Sequence, residues 1–295
     1  MKRFLALVLT LVLLLSFSGC NDTAPSDTPD NTWSEATENT EEEATKVTES
    51  TRAQKIGETE IILGEEYVLT FVDEFEKISL DGTMWEHCPE WERSDRGGKW
   101  DPKCANTNDG KLILSVIYDE DAGCYKSGAI RTKDIFEQAY GYFEASMRVQ
   151  NVSGFWSAFW MMCGNVSSVG NDGVDGTEID IMEAFNAKTF GINHALHWDG
   201  YKEHHKSEGT SEYREDLYDG EFHTYSLRWS PEGYKWYIDN ELMWESKAGG
   251  VCNQPGYMKL TLEVGSWAGE IDLSDLPATV EVDYVRAYQF ADMSE

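Results

Sequence analysis

Positive charge is scarce in this sequence: 24 lysines and arginines stand against 54 aspartates and glutamates, for a formal net charge of -30. A chain with so few cations cannot neutralise many phosphates, which excludes nucleic acid as a partner. The same charge repels sulfated or uronic polymers, so a neutral substrate fits best. Long helical periodicity is missing too, which turns the reading toward an all-β fold. There is no internal repeat, no second domain and no cysteine–histidine spacing of the zinc-binding kind.

The ends divide the chain. Residues 1–19 form a secretory signal, with Lys2 and Arg3 ahead of an apolar core too short to span a bilayer. Phe17-Ser18-Gly19-Cys20 resembles the lipobox of bacterial lipoproteins, although Phe17 replaces the usual leucine. The expectation is cleavage before Cys20, acylation of its thiol, and a protein anchored by lipid to the extracellular face of the cell membrane. Residues 20–58 are rich in Thr, Glu, Ser, Asp and Pro and too poor in apolar surface to fold, so they read as a disordered acidic tether. Residues 59–292 then form one working domain, expected to be a monomer. Acylation of Cys20 leaves Cys88, Cys104, Cys124, Cys163 and Cys252, an odd number in an exported chain. A bridge is expected among Cys88, Cys104 and Cys124, with the pair left open.

Within the domain, segments 67–72, 111–118, 140–149, 178–185, 222–229, 234–238, 257–264 and 280–290 are rich in β-branched and aromatic residues. Turn signals such as Asn108-Asp109-Gly110, Asp199-Gly200 and Asp239-Asn240 separate them. Strands at this spacing predict two antiparallel sheets packed face to face, a sandwich or jelly roll. Tryptophan is abundant, with 11 residues. Trp156 and Trp160 alternate onto one face of Phe155–Trp160, while Trp85, Trp91, Trp100, Trp198 and Trp267 fall in or beside expected loops. Flat aromatic faces next to carboxylates suit sugar rings, whose C–H faces stack and whose hydroxyls need polar partners.

The sharpest motif is Glu178-Ile179-Asp180-Ile181-Met182-Glu183. In a regular strand Glu178 and Asp180 share a face, but Glu183, five residues from Glu178, points the other way. One extra residue taken up as a β-bulge would bring all three carboxylates together. Seen alone, such an acidic alternation also fits a solvated strand face. Three converging carboxylates, each raising the cost of ionising the others, point instead to proton chemistry. A retaining glycosidase needs two of them about 5–5.5 Å apart.

Together with Phe71-Val72-Asp73-Glu74-Phe75, Tyr140-Gly141-Tyr142-Phe143-Glu144-Ala145, Gly154–Trp160, Phe222-His223-Thr224-Tyr225, Trp236-Tyr237-Ile238-Asp239 and Val282-Asp283-Tyr284-Val285-Arg286, this motif resembles the glycoside hydrolase family 16 β-glucanases over nearly the whole domain. The resemblance implies a concanavalin-like β-sandwich jelly roll with Glu178 as nucleophile, Asp180 assisting it and Glu183 as acid/base. It implies endo-hydrolysis of neutral β-1,3- or mixed-linkage β-1,3/1,4-glucan with retention. Trp156, Trp160, His197, Trp267, Arg131 and Glu263 are the candidate substrate-binding residues. No cofactor is required; a structural calcium is implied at the Gly110 carbonyl and the Asp283 carboxylate. Laminarinases commonly read Asn-Leu-Ala-Val-Gly-Gly where this chain has Thr261-Leu262-Glu263-Val264-Gly265-Ser266, so Glu263 leaves linkage specificity open. The rival readings are a family 16 enzyme on agar or xyloglucan, a transglycosylase, or a non-catalytic lectin-like domain. A lectin would be expected to lack one of the three carboxylates.

Overall fold

The computed structural model describes residues 55–90, 92–93 and 96–293. The expected signal segment, Cys20, the expected tether up to residue 54 and Trp91 lie outside the described residues. The strands run β1 (Thr59–Ile62), β2 (Glu65–Asp73), β3 (Glu86–His87), β4 (Glu92–Arg93), β5 (Gly98–Trp100), β6 (Ala105–Asn108), β7 (Lys111–Asp119), β8 (Cys124–Ser127) and β9 (Ala129–Arg131). They continue as β10 (Gly141–Arg148), β11 (Phe155–Gly164), β12 (Gly176–Asn186), β13 (Gly191–Trp198), β14 (Lys206–Tyr213), β15 (His223–Ser230), β16 (Gly233–Ile238), β17 (Glu241–Ser246), β18 (Gly256–Val264) and β19 (Ala278–Phe290). Among the described residues the only helices are single 3-10 turns.

Two sheets result, as the strand pattern predicts. One has the order β14-β13-β12-β11-β18-β9-β3; the other runs β17-β16-β15-β10-β19-β7-β8-β5-β4, with β1, β2 and β6 added beside it. Pairing is antiparallel apart from β5 with β8, which is parallel. The turns fall where their chemistry allows. Asp109 and Gly110 take φ of 50° and 68° between β6 and β7, and Asp239 and Asn240 take 49° and 65° between β16 and β17. Asp, Asn and Gly tolerate this left-handed region, which tight hairpins demand.

Alternation along each strand decides which side chains meet between the sheets. On β11, Phe155, Phe159 and Met161 are fully buried, as are Met258, Leu260 and Leu262 on β18. They share one core with Phe143, Ala145 and Met147 of β10 and Leu227 and Trp229 of β15. Burial of each large apolar side chain is worth roughly 1.5–3 kcal/mol. The residues between them on β11 and β18 face outward, and the site is built there.

Three tryptophans placed at expected loops belong to the interior instead: Trp85, Trp100 and Trp198 are all buried. Trp85 also donates its indole N–H to Asp73 at 2.9 Å. The expected bridge among Cys88, Cys104 and Cys124 is not formed, for all five described cysteines are free thiols. Each lies in its own setting. Cys88 packs with Trp100 and Ala129, Cys104 ends the 3-10 turn Pro102–Cys104, and Cys124 pairs with Asp119 at the tip of the β7–β8 hairpin. Burial pushes the Cys88 thiol up to about 11, the behaviour of an inert core thiol.

Candidate active site

β12 is an interior strand of the seven-stranded sheet, between β11 and β13. Its pairing with β11 runs regularly to Phe159–Met182 and then jumps to Trp160–Asp180, leaving Ile181 without a partner. On the other side Asp180 pairs with Ala195 and Glu183 with Asn193, so two residues of β12 oppose His194 alone. This is the bulge that the five-residue spacing demands. Ile179, Ile181 and Met182 all turn into the core, while Glu178, Asp180 and Glu183 all line one outward cavity of about 430 Å³.

A bulge leaves backbone carbonyls without ladder partners, and burying them unpaired would be costly. Two core side chains supply the donors. Nδ1 of His194 lies 2.7 Å from the Ile181 carbonyl, and Trp236, reaching across from β16, donates its indole N–H to the Asp180 carbonyl at 3.0 Å. Because the carbonyl only accepts, His194 carries its proton on Nδ1. Burial pushes its pKa down to about 4, so it stays a neutral donor. Sequence reading missed both residues.

The three carboxylates differ in their surroundings. The protein encloses the Glu183 carboxyl group, although its side chain opens partly into the cavity. Desolvation, then the neighbouring Asp180, push its pKa well above the usual carboxylate range. A hydrogen bond from Asn193 Nδ2 to Glu183 Oε2, 3.0 Å long, works against that rise. Asn193 is oriented by Ser211, whose hydroxyl donates to its Oδ1 at 3.0 Å. Glu178 Oε2 accepts a 2.6 Å hydrogen bond from the hydroxyl of Tyr201. His197 Nε2 lies 3.2 Å from Asp180 Oδ2, and its Nδ1 lies 2.9 Å from His205 Nε2. In the first of these contacts His197 Nε2 donates and the Asp180 carboxylate oxygen accepts. One carboxyl group pushed toward its neutral form beside another that accepts a short hydrogen bond is the asymmetry that acid and nucleophile roles require.

The cavity continues across neighbouring strands. Toward β18 it is lined by Trp156, Ala158, Trp160, Met162, Thr261 and Glu263. On the β13 and β14 side, a second hollow of about 470 Å³ shares Trp156 and Glu183 and is walled by Asn193, His197, Ser207, Gly209, Ser211 and Trp267, among others. The carboxylates thus sit in mid-cleft, with a largely apolar half and a polar half. Trp267 is 44% exposed, stacks on Phe185 at 4.6 Å and meets the edge of Trp156 at 5.6 Å. Trp160 offers less: it is 6% exposed, and Lys259 Nζ lies over its ring at 3.5 Å. Glu263 is buried at the cavity wall. Arg131 does not line either hollow; it lies on β9, opposite Lys259, and pairs with Glu86 at 2.6 Å.

Among the described residues, the one gathering of three His, Cys, Asp or Glu ligand atoms is Glu178, Asp180 and His197, within 4.8 Å of one another. Asp180 and His197 already bond each other, Glu178 accepts from Tyr201, and His197 meets His205. Gly110 and Asp283 lie on the other sheet. Gly110 is in the β6–β7 turn with the Glu76 carboxylate beside it, and Asp283 is the residue that β19 skips in its register with β10. A carbonyl and carboxylates are the hard oxygen donors that calcium takes.

The chain is 26% identical over 266 residues to a glucan endo-1,3-beta-glucosidase of Niallia circulans, covering 75% of this chain and 38% of that protein. It is 28% identical over 243 residues to a keratan-sulfate endo-1,4-beta-galactosidase of Sphingobacterium multivorum, covering 76% and 56%. The chain therefore spans little more than a third to a half of these relatives. Among solved structures it is similar to an endo-beta-1,3-glucanase from Pyrococcus furiosus, with TM-score 0.65, 26% identity, and 80% of this chain and 99% of that one covered. The profile of glycosyl hydrolases family 16 matches residues 94–286, and the chain belongs to that family.

Proposed function

We propose that the chain is a retaining endo-glycosidase that cleaves β-1,3- or mixed-linkage β-1,3/1,4-glucan through a covalent glycosyl–enzyme intermediate. The observation that carries the reading is the bulged β12, which brings Glu183, its pKa raised by burial and by Asp180, into one cavity with hydrogen-bonded Glu178. In the first step Glu178 attacks the anomeric carbon while Glu183 gives its proton to the departing glycosidic oxygen. In the second, Glu183 as carboxylate takes a proton from water, the water oxygen bonds the same carbon, and the ester to Glu178 breaks. Asp180, hydrogen-bonded to His197, keeps the acid's pKa high and the strand face ordered.

Glucan is supported by the relatives that carry that activity in their names and by the net charge of -30, which disfavours anionic chains. Glu263 favours a second reading, a β-galactan: a buried acceptor at the cavity wall can bind a pair of sugar hydroxyls, and one relative acts on a β-galactoside. A polysaccharide panel of laminarin, lichenan, barley β-glucan, xyloglucan and agarose, with product sizes read out, decides. Short oligosaccharides from the first three support glucan; activity on agarose alone overturns the substrate but not the chemistry.

Trp156, Trp160 and Trp267 would carry sugar faces, with most of the stacking on the exposed Trp267. His197 and Glu263 would meet hydroxyls, while Arg131, paired with Glu86 away from both hollows, would not touch the sugar. A calcium held by Gly110, Asp283 and Glu76 would stabilise the sheet opposite the cleft and take no part in the reaction. The lipobox supports export and a lipid anchor at Cys20 on the extracellular face of the membrane; Cys20→Ala should release the protein into the medium. A monomer suffices for all of this, because every group named lies within one chain.

A further inference from the structure

The connection from β13 to β14 does more than join two strands. Its base is fixed on both sides. Asp199, buried and in a left-handed turn, accepts from the Gly170 amide and pairs with Lys206 at 2.9 Å. The Gly200 amide donates to the Val166 carbonyl at 2.6 Å. Residues 202–205 close a turn of their own through the His205 amide and the Lys202 carbonyl. Between these ties the chain sends Tyr201 back over the cleft, where its hydroxyl reaches Glu178 Oε2 at 2.6 Å and lies 3.7 Å from Met162 Sδ. The phenol is half exposed, and no packing need explains why its hydroxyl ends on a carboxylate of the site.

We propose, resting on the reading of Glu178 as nucleophile, that Tyr201 is a positioning residue for glycosyl transfer. It holds Glu178 Oε2 so that Oε1 is the oxygen left to bond the anomeric carbon, and it stabilises the carboxylate each time the glycosyl ester breaks. A hydrogen bond to an anion favours that anion over the neutral ester. It therefore slightly slows attack, which consumes the charge, and speeds deglycosylation, which restores it. In that second step the bond from the anomeric carbon to Glu178 breaks, the bond to water oxygen forms, and the water proton passes to Glu183. The charged and titratable groups around Glu178 are Asp180 and Glu183 on β12, His197 on β13, His205 in the connection and, across Met162, Tyr257 on β18; the Tyr201 hydroxyl donates to it directly.

The test is Tyr201→Phe, which removes one hydroxyl and leaves the ring, assayed on the best polysaccharide of the panel and on an activated aryl glycoside of its repeating disaccharide. The acid limb of kcat/KM should move up by about one to two pH units, the size of a lost hydrogen bond to a charged group. On the aryl glycoside kcat should fall at least about tenfold with KM falling alongside, because the ester accumulates, and intact-mass spectra should show it. An unmoved acid limb, or a raised KM with kcat unchanged, would mean that Tyr201 only shapes the loop and would overturn the proposal. Failure of Glu178→Ala to give an α-glycosyl azide would instead overturn the reading of the nucleophile, so the two failures are distinguishable.

Discussion

His194 holds the carbonyl of Ile181, the residue that β12 skips in its pairing with β11. A core imidazole thus fixes the step in register that turns Glu183 to the same side as Glu178. Trp236 does the same for the Asp180 carbonyl from the opposite sheet.

If these two donors hold the bulge, Trp236→Phe should leave a buried carbonyl unpaired and cost about 1–3 kcal/mol in urea denaturation. Turnover should fall by more than binding, since the carboxylates move relative to each other. A variant that loses stability but keeps full kcat would show that the bulge holds itself.

His194 also sets an acid sensitivity. Its folded pKa of about 4 lies below its ordinary value of 6.5, so between these values the unfolded chain binds a proton that the folded chain does not. Stability from this group is complete above pH 6.5 and is lost as pH falls toward 4, by on the order of 3 kcal/mol. Denaturation midpoints at pH 6.5 and pH 4 should converge in His194→Gln relative to the parent. An equal slope in both proteins would refute the assignment.

The alkaline limb of the rate profile should report Glu183. Asn193→Ala removes a hydrogen bond that favours the ionised form, so the limb should move to higher pH. Asp180→Asn removes a neighbouring negative charge and should move it lower. The two opposite displacements, measured on kcat/KM, are the check; shifts in the same direction would assign the limb to another group.

How much of this could be read from the chain depends on the range of the forces involved. Alternation and turn chemistry are local, so β2, β7, β10, β12, β15, β16, β18 and β19 were legible, and so was the need for a bulge in β12. Burial of a tryptophan is not local. Trp85, Trp100 and Trp198 carry no mark that separates them from Trp267, because only the opposing sheet decides which rings are covered. β14, with mostly exposed side chains, carries no apolar pattern at all. Tyr201 lies in a loop, where neither period applies, and its partner is 23 residues away. For His194 there was a signal: it shares the inward face of its strand with Leu196, opposite to His197, and a buried histidine needs a partner.

Azide should distinguish the two catalytic glutamates. With Glu178→Ala, azide takes the place of the nucleophile on an activated substrate and gives the α-glycosyl azide. With Glu183→Ala, the ester still forms from an activated leaving group, and azide opens it to the β-product. The same anomer from both variants would mean that at least one role is misassigned.

The stereochemistry of the first product tests the central claim most directly. Proton NMR during early hydrolysis of the preferred polysaccharide should show the β-anomer first, with the α-signal growing only by mutarotation, because two displacements at one carbon restore its configuration. An initial α-signal would mean a single displacement by water, and Glu178 would not be the nucleophile.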